Sequence, residues 1–176
     1  AKDLVEKNFK DKQFEIAEEY LGSELVGKSY KPVFEYYIKD KSLTNYENGW
    51  KMYPADFVTT TDGTGIVHIA PAFGEDDLNL GKEFNLPFVQ HVKMNGEIKD
   101  EVIELAGRQA KPKHDPQETD IEVIKLLAHK GTLFAKEKYT HSYPHCWRTD
   151  APLLNFATSS WFIKVTDLKD QLIKNN

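Results

Sequence analysis

Residues 52–70 read MYPADFVTTTDGTGIVHIA, two runs rich in β-branched and aromatic side chains on either side of Asp62-Gly63. Asp-Gly between two such runs is a strong short-range hairpin signal, because those residues tolerate the positive φ angles that tight hairpin turns demand. The segment 88–98, FVQHVKMNGEI, reads the same way around Asn95-Gly96. Residues 29–40, SYKPVFEYYIKD, are aromatic-rich and carry Pro32, which suits an edge strand. Residues 13–22, QFEIAEEYLG, fit alternation through Phe14, Ile16 and Tyr20, and helical spacing through Phe14, Ala17 and Leu21; strand is preferred. TLFAKEKY, 132–139, adds a further strand-like run. The expected fold class is therefore mixed α and β but β-rich: a small β-barrel core with inserted helices.

The helices stand out by their punctuation. Residues 2–9 place Leu4, Val5 and Phe9 on one side. Residues 75–85 open with Glu75, Asp76 and Asp77, where carboxylates complement the helix dipole. In residues 119–131, Thr119 and Glu122 have capping-box spacing, Ile121, Ile124, Leu127 and Ala128 form an apolar stripe, and Gly131 can end the helix. From residue 139 the composition changes to aromatics and turn formers with a short terminal helix, so 1–138 and 139–176 are expected to be a domain and an exit segment.

The chain has 176 residues, 40% apolar and 29% charged, with a net charge of -5. That composition suits a folded chain rather than a disordered one. No apolar run approaches the ~18 residues of a membrane span, and AKDLVEKNFKDKQ is neither a signal nor a transit peptide. The single Cys146 excludes an internal disulfide or a four-thiolate zinc site and points to a reducing, cytoplasmic setting. The acidic balance argues against broad, sequence-independent binding to nucleic-acid backbones. Within it, residues 130–148 hold Lys130, Lys136, Lys138 and Arg148 against Glu137. Trp147 and Trp161 are expected to be packing anchors.

Chemistry concentrates in residues 62–77, DGTGIVHIAPAFGEDD. Period two puts Val67 and Ile69 on one face and His68 on the other, so if the first face packs inward His68 looks toward solvent or a pocket. Ala70-Pro71-Ala72 allows close backbone approach, and Asp77, sharing a face with Leu80 and Phe84, is expected to look inward more than Glu75 or Asp76. At a helix N-terminus its ionised carboxylate suits a cation such as an ammonium. A hairpin histidine and helix-start acids are also what an ordinary surface histidine and ordinary caps look like. A second cluster, His141, His145, Cys146 and Asp150, has the ligand types of zinc.

Residues 62–77 resemble the editing-site segment of isoleucyl-tRNA synthetases, within the domain inserted into their class I catalytic core. The likeness continues in the same order through GSELVGKSYKP (22–32), YTHSYPHCWR (139–148) and TSSWFIKV (158–165). His68 followed by Ala-Pro is the isoleucyl-like choice, where the sister valyl and leucyl enzymes generally differ. The resemblance implies a fragment of a larger ligase: a partial editing domain, 1–138, and an exit segment toward the catalytic core. The implied activity is hydrolysis of valine wrongly esterified to isoleucine tRNA. It implies that Asp77 holds the α-ammonium, that His68 lines the side-chain pocket and contacts the terminal ribose or attacking water, and that Gly65 and Ala70 contact the substrate. No metal or cofactor is expected within the fragment; the parent uses ATP and Mg. Some relatives carry Cys-Trp-Arg-Cys and bind zinc, but here the second position is Thr149. The family's threonine-rich pocket wall precedes the matched part, and Thr59, Thr60 and Thr61 are not assigned to it. The implied partners are the aminoacylated end of isoleucine tRNA and the rest of the synthetase, with no membrane. The alternatives are a non-catalytic module that binds the tRNA end, or the editing domain of a sister valyl or leucyl enzyme.

Overall fold

The structure is a computed structural model that describes residues 1–10 and 12–176. Among the described residues there are five α-helices: α1 Val5–Phe9, α2 Gly22–Leu25, α3 Glu75–Glu83, α4 Glu118–His129 and α5 Val165–Asn175. Short 3₁₀ turns occur at Lys2–Leu4, Tyr46–Asn48 and Ile103–Leu105. Among the described residues there is no β-strand, only four isolated antiparallel bridges: Ser29 with Lys51, Val92 with Ile98, Glu97 with Gln109, and His145 with Pro152. The expected β-rich barrel is therefore wrong.

Its physical failure is clearest at Asp62-Gly63. A tight two-residue turn of the favoured type needs positive φ at both central residues, yet the positive values fall on Gly63 (63°) and Gly65 (79°), on either side of Thr64. The carboxylate of Asp62 accepts the Gly63 amide at 2.8 Å, and the Gly63 carbonyl accepts the Asn8 side-chain amide at 3.0 Å. The Thr64 carbonyl takes the amino group of Ala1. The amino-terminal segment thus holds the Gly63 and Thr64 carbonyls, and of the two only that of Thr64 is one a hairpin would pair.

The second turn does form. Lys93 N–H donates to Glu97 O at 2.7 Å and Gly96 N–H to Lys93 O at 2.9 Å, with Gly96 at φ 84°. This is a three-residue hairpin loop, a tight turn closed by a left-handed glycine. A third segment joins it, since Ile98 N–H donates to Arg108 O and Ala110 N–H to Gly96 O, at 2.8 and 2.9 Å. Each pairing ends after two or three bonds and leaves only isolated bridges. The aromatic run at 29–40 contributes only a brief pairing, Tyr30 N–H to Trp50 O at 3.0 Å. Residues 13–21 and 132–139, also expected as strands, have no regular structure.

Helix α4 matches its expected place but not its expected details. Gln117 is the N-cap, and Thr119 lies inside the first turn, 5% exposed, donating its hydroxyl to Gln109 O at 2.7 Å. Glu122 pairs instead with Lys125 at 2.8 Å. The helix face toward the core carries Val123 and Leu126, packed on buried Ile98, Val102 and Leu105 together with Tyr36 and Tyr37, while Ile121 is exposed. The stripe is rotated from the expected one. The stop is as expected: Gly131 has φ 69°, its amide donates to Ala128 O and the Thr132 amide to Leu127 O, both at 3.0 Å. That pair of bonds is a Schellman motif, which a left-handed residue makes possible.

Burial is sparse for this length. Among the described residues, buried apolar side chains are Leu4, Ala72, Leu80, Val92, Ile98, Val102 and Leu105. Accessible surface is 14,295 Å² for 20.2 kDa. A compact monomer of that mass exposes about 8,750 Å², so this chain exposes over half as much again. Trp147 and Trp161, expected as packing anchors, are 85% and 101% exposed. No helix among the described residues is long and apolar enough to cross a membrane.

Candidate functional site

The loop between His68 and Asp77 is organised by two hydrogen bonds and one close contact. Phe73 N–H donates to Ala70 O at 2.8 Å, forming a turn with Pro71 at its second position, where a fixed φ is favourable. Ala70 N–H donates to Asp77 Oδ2 at 3.0 Å, binding the loop's start to the first turn of α3. Gly81 of α3 lies against Pro71: a Cβ there would stand 3.0 Å from the proline ring. Gly74 is the N-cap, with extended backbone, and a Cβ on it would sit 2.9 Å from both Cγ and Oδ2 of Asp77. Glycine at this position gives the carboxylate its room.

Asp77 is half-buried, whereas Glu75 and Asp76 are exposed. One oxygen of Asp77 holds Ala70; no hydrogen bond occupies the other among the described residues. Negative charge in the first turn of a nine-residue helix is stabilised by the helix dipole. His68 is exposed and stands at the wall of a cavity of about 560 Å³, in the range of small-molecule sites. Ile69, Ala70 and Pro71 continue that wall. Val67, assigned with Ile69 to an inward face, is instead 52% exposed, because no strand pleat orders the segment. Gly65 stands apart from the cavity, close enough to the amino terminus that a Cβ would meet Ala1 N at 3.0 Å.

The rest of the cavity comes from residues whose role the sequence did not reveal. Tyr30, Phe34, Tyr36, Trp50 and Tyr53 give it an aromatic lining. His91 faces it too, with its ring 4.5 Å from that of Phe73. Burial, then Lys99 and then His68, hold the His91 imidazole below its usual pKa, so it is neutral near pH 7. The segment was read for its Asn95-Gly96 turn, and nothing in its spacing linked His91 to His68. The Tyr37 hydroxyl, also at the wall, is buried without a hydrogen-bond partner among the described residues.

Residues 154 and 157 touch this site. Ala157 N–H donates to Ala72 O at 2.7 Å, and Leu154 lines the cavity. Farther along, Cys146 N–H bonds Ala151 O and Asp150 N–H bonds Cys146 O, both at 2.8 Å, forming a tight loop. Hydrogen bonds from Thr149 and from the 148–149 backbone hold the Cys146 thiol below its usual pKa. Among the described residues, His141, His145, Cys146 and Asp150 do not converge into a group able to hold a metal ion.

No family model matches the chain. Among curated proteins, 176 residues are 42% identical to the isoleucine–tRNA ligase of Clostridium novyi, covering 100% of this chain and 16% of that protein. The Clostridium acetobutylicum isoleucine–tRNA ligase is 43% identical over 164 residues, 93% of this chain and 15% of the relative. That of Rickettsia bellii is 41% identical over 176 residues, 14% of its length. An unbroken match of this kind, with the 62–77 segment inside it, makes the chain part of an aminoacyl-tRNA ligase. Its particular kind is isoleucine–tRNA ligase, of which this chain is a fragment spanning about one sixth of the C. novyi and one seventh of the R. bellii relative.

Proposed function

We propose that this segment serves aminoacyl-tRNA editing: hydrolysis of the ester that joins misattached valine to the terminal adenosine of isoleucine tRNA. A synthetic pocket separates substrates that differ by one methylene only weakly, and isoleucine against valine is the standard illustration of that limit; a second site that destroys the smaller product overcomes it. The observation that carries the reading is the Ala70–Asp77 bond at 3.0 Å, which holds a half-buried carboxylate next to the loop that sets His68 on the cavity wall.

In this reading the free oxygen of Asp77 accepts the α-ammonium, and His68 contacts the terminal ribose or the attacking water. Ala70 forms wall, and Gly65 acts through the shape of the loop. An aminoacyl ester is already activated, so positioning ester and water supplies much of the rate. No metal is assigned to the step. ATP and magnesium belong to the ligation chemistry, which this reading assigns to portions of the ligase beyond these residues. Cytoplasmic location and the division into an editing part, 1–138, and an exit part, 139–176, are likewise part of the proposal.

The test is Asp77→Asn in the ligase that carries this segment. Asparagine can still accept from Ala70 but lacks charge, so deacylation of valyl-tRNA for isoleucine should fall at least tenfold while aminoacylation with isoleucine persists. Unchanged deacylation would overturn the assignment.

A further inference from the structure

The cavity carries a second imidazole besides His68. His91 stands just before the turn that Asn95-Gly96 makes: its carbonyl accepts the Lys99 amide at 2.9 Å, and its neighbour Val92 is buried and bridged to Ile98. Its ring lies 4.5 Å from that of Phe73, which belongs to the loop closed by the Phe73–Ala70 turn and the Ala70–Asp77 bond. His91 and His68 thus line one cavity from two separate segments.

Packing alone does not require an imidazole here. A phenyl ring would make the same tilted contact with Phe73; imidazole adds an N–H and a lone pair. Among the described residues, the histidine ring nitrogens that meet backbone carbonyls are those of His141 and His145, so neither nitrogen of His91 is engaged. The surroundings keep the ring neutral. Burial disfavours its charged form most, followed by Lys99 across the turn and His68 in the loop. The nearby acids are engaged elsewhere: Glu97 and Asp100 pair with Lys93 at 3.6 and 3.7 Å, and Asp77 holds Ala70 N–H at 3.0 Å. A half-buried neutral imidazole with an open lone pair is suited to take a proton from water.

We propose that His91 is the general base of the hydrolysis, taking a proton from the attacking water, while His68 is left to hold the terminal ribose. The proposal rests on the editing reading of the same cavity. Water oxygen adds to the ester carbonyl carbon as a His91 ring nitrogen takes one of the water protons. The tetrahedral intermediate then expels the ribose oxygen, and the imidazolium returns the proton to it. One carbon–oxygen bond has formed, one has broken, and His91 ends neutral. Valine leaves as its carboxylate, with the acid proton passing to solvent.

The test uses the ligase that carries this segment, with deacylation of valyl-tRNA for isoleucine followed from about pH 5 to about pH 8. The rate should show an acid limb whose midpoint lies below the usual histidine value. At about pH 7.5, His91→Gln and His91→Phe should each slow deacylation roughly 100-fold or more and remove that limb, although phenylalanine keeps a ring against Phe73. Lys99→Gln touches no reacting atom; it should keep the plateau rate and move the limb to higher pH, because a positive neighbour of His91 is gone. Isoleucine aminoacylation, unchanged in all three variants, reports that they fold. A His91→Phe rate within about twofold of the unsubstituted ligase, a limb that survives His91→Gln, or a limb unmoved by Lys99→Gln overturns the base and leaves the editing reading standing. An unsubstituted ligase that does not deacylate overturns the editing reading and the base together.

Discussion

Gly74→Ala tests the local physics of the site without altering any of its polar groups. The backbone at Gly74, φ -128° and ψ 146°, accepts alanine without strain. The added methyl would stand 2.9 Å from Asp77 Cγ and Oδ2, against 3.4–4 Å for ordinary contact, so the carboxylate must retreat by about 0.5 Å or more. Moving away lengthens the 3.0 Å bond to Ala70 N–H beyond useful range. A lost charge-assisted bond at a half-buried amide, added to the poorer N-cap that alanine makes, costs about 1.5–2.5 kcal/mol. For a chain of this length that lowers the melting temperature by about 3–10 °C. The assay is thermal denaturation by circular dichroism, combined with hydrogen exchange at the Ala70 amide, which should quicken. A double-mutant cycle then isolates the cause: on an Asp77→Ala background, Gly74→Ala should cost only its N-cap share, about 0.5–1 kcal/mol. Equal costs on both backgrounds, or an unchanged Ala70 exchange rate, would refute the mechanism.

Other perturbations have equally definite outcomes. Thr119→Val keeps shape but leaves the Gln109 carbonyl without its 2.7 Å donor, and should destabilise the chain by about 1–3 kcal/mol in urea titration. Gly131→Ala forces a side chain into φ 69° and should cost about 1–2 kcal/mol, with Gly131→Asn milder. Because the His91 pKa is held below that of the unfolded chain, the unfolded state binds more protons as pH falls below the usual histidine value. Stability should therefore decline from about pH 7 toward pH 5, and His91→Gln should flatten that decline over the same window.

What could be read from the sequence was what local chemistry controls. Gly131 stops α4 and Asn95-Gly96 makes its turn because both depend on a few adjacent backbone angles. Helix α3 opens on its three carboxylates for the same reason, and Asp77 turns inward relative to Glu75 and Asp76. The barrel was misread because strand pattern records only that a segment can present alternating faces; a strand also needs a partner edge. Residues 52–61 and 64–70 have the pattern, but no backbone bridge joins them among the described residues, and the Thr64 carbonyl takes the Ala1 amino group instead. Thr119 was misassigned as a cap because its true partner, Gln109, lies in a separate segment. His91 escaped notice likewise: the proximity to His68 is created by folding, not by spacing.

The 14,295 Å² of exposed surface has a consequence for how the chain unfolds. An unfolded chain of this mass exposes about 29,300 Å², so folding removes only about three quarters of the area that a compact protein of equal size would hide. Denaturant slopes and the heat-capacity change scale with that area. Urea should thus melt the isolated chain in a broad, shallow transition, and calorimetry should give a heat-capacity increment reduced in proportion. Supplying the remaining ligase should steepen the urea curve, because area newly covered is area that unfolding must expose.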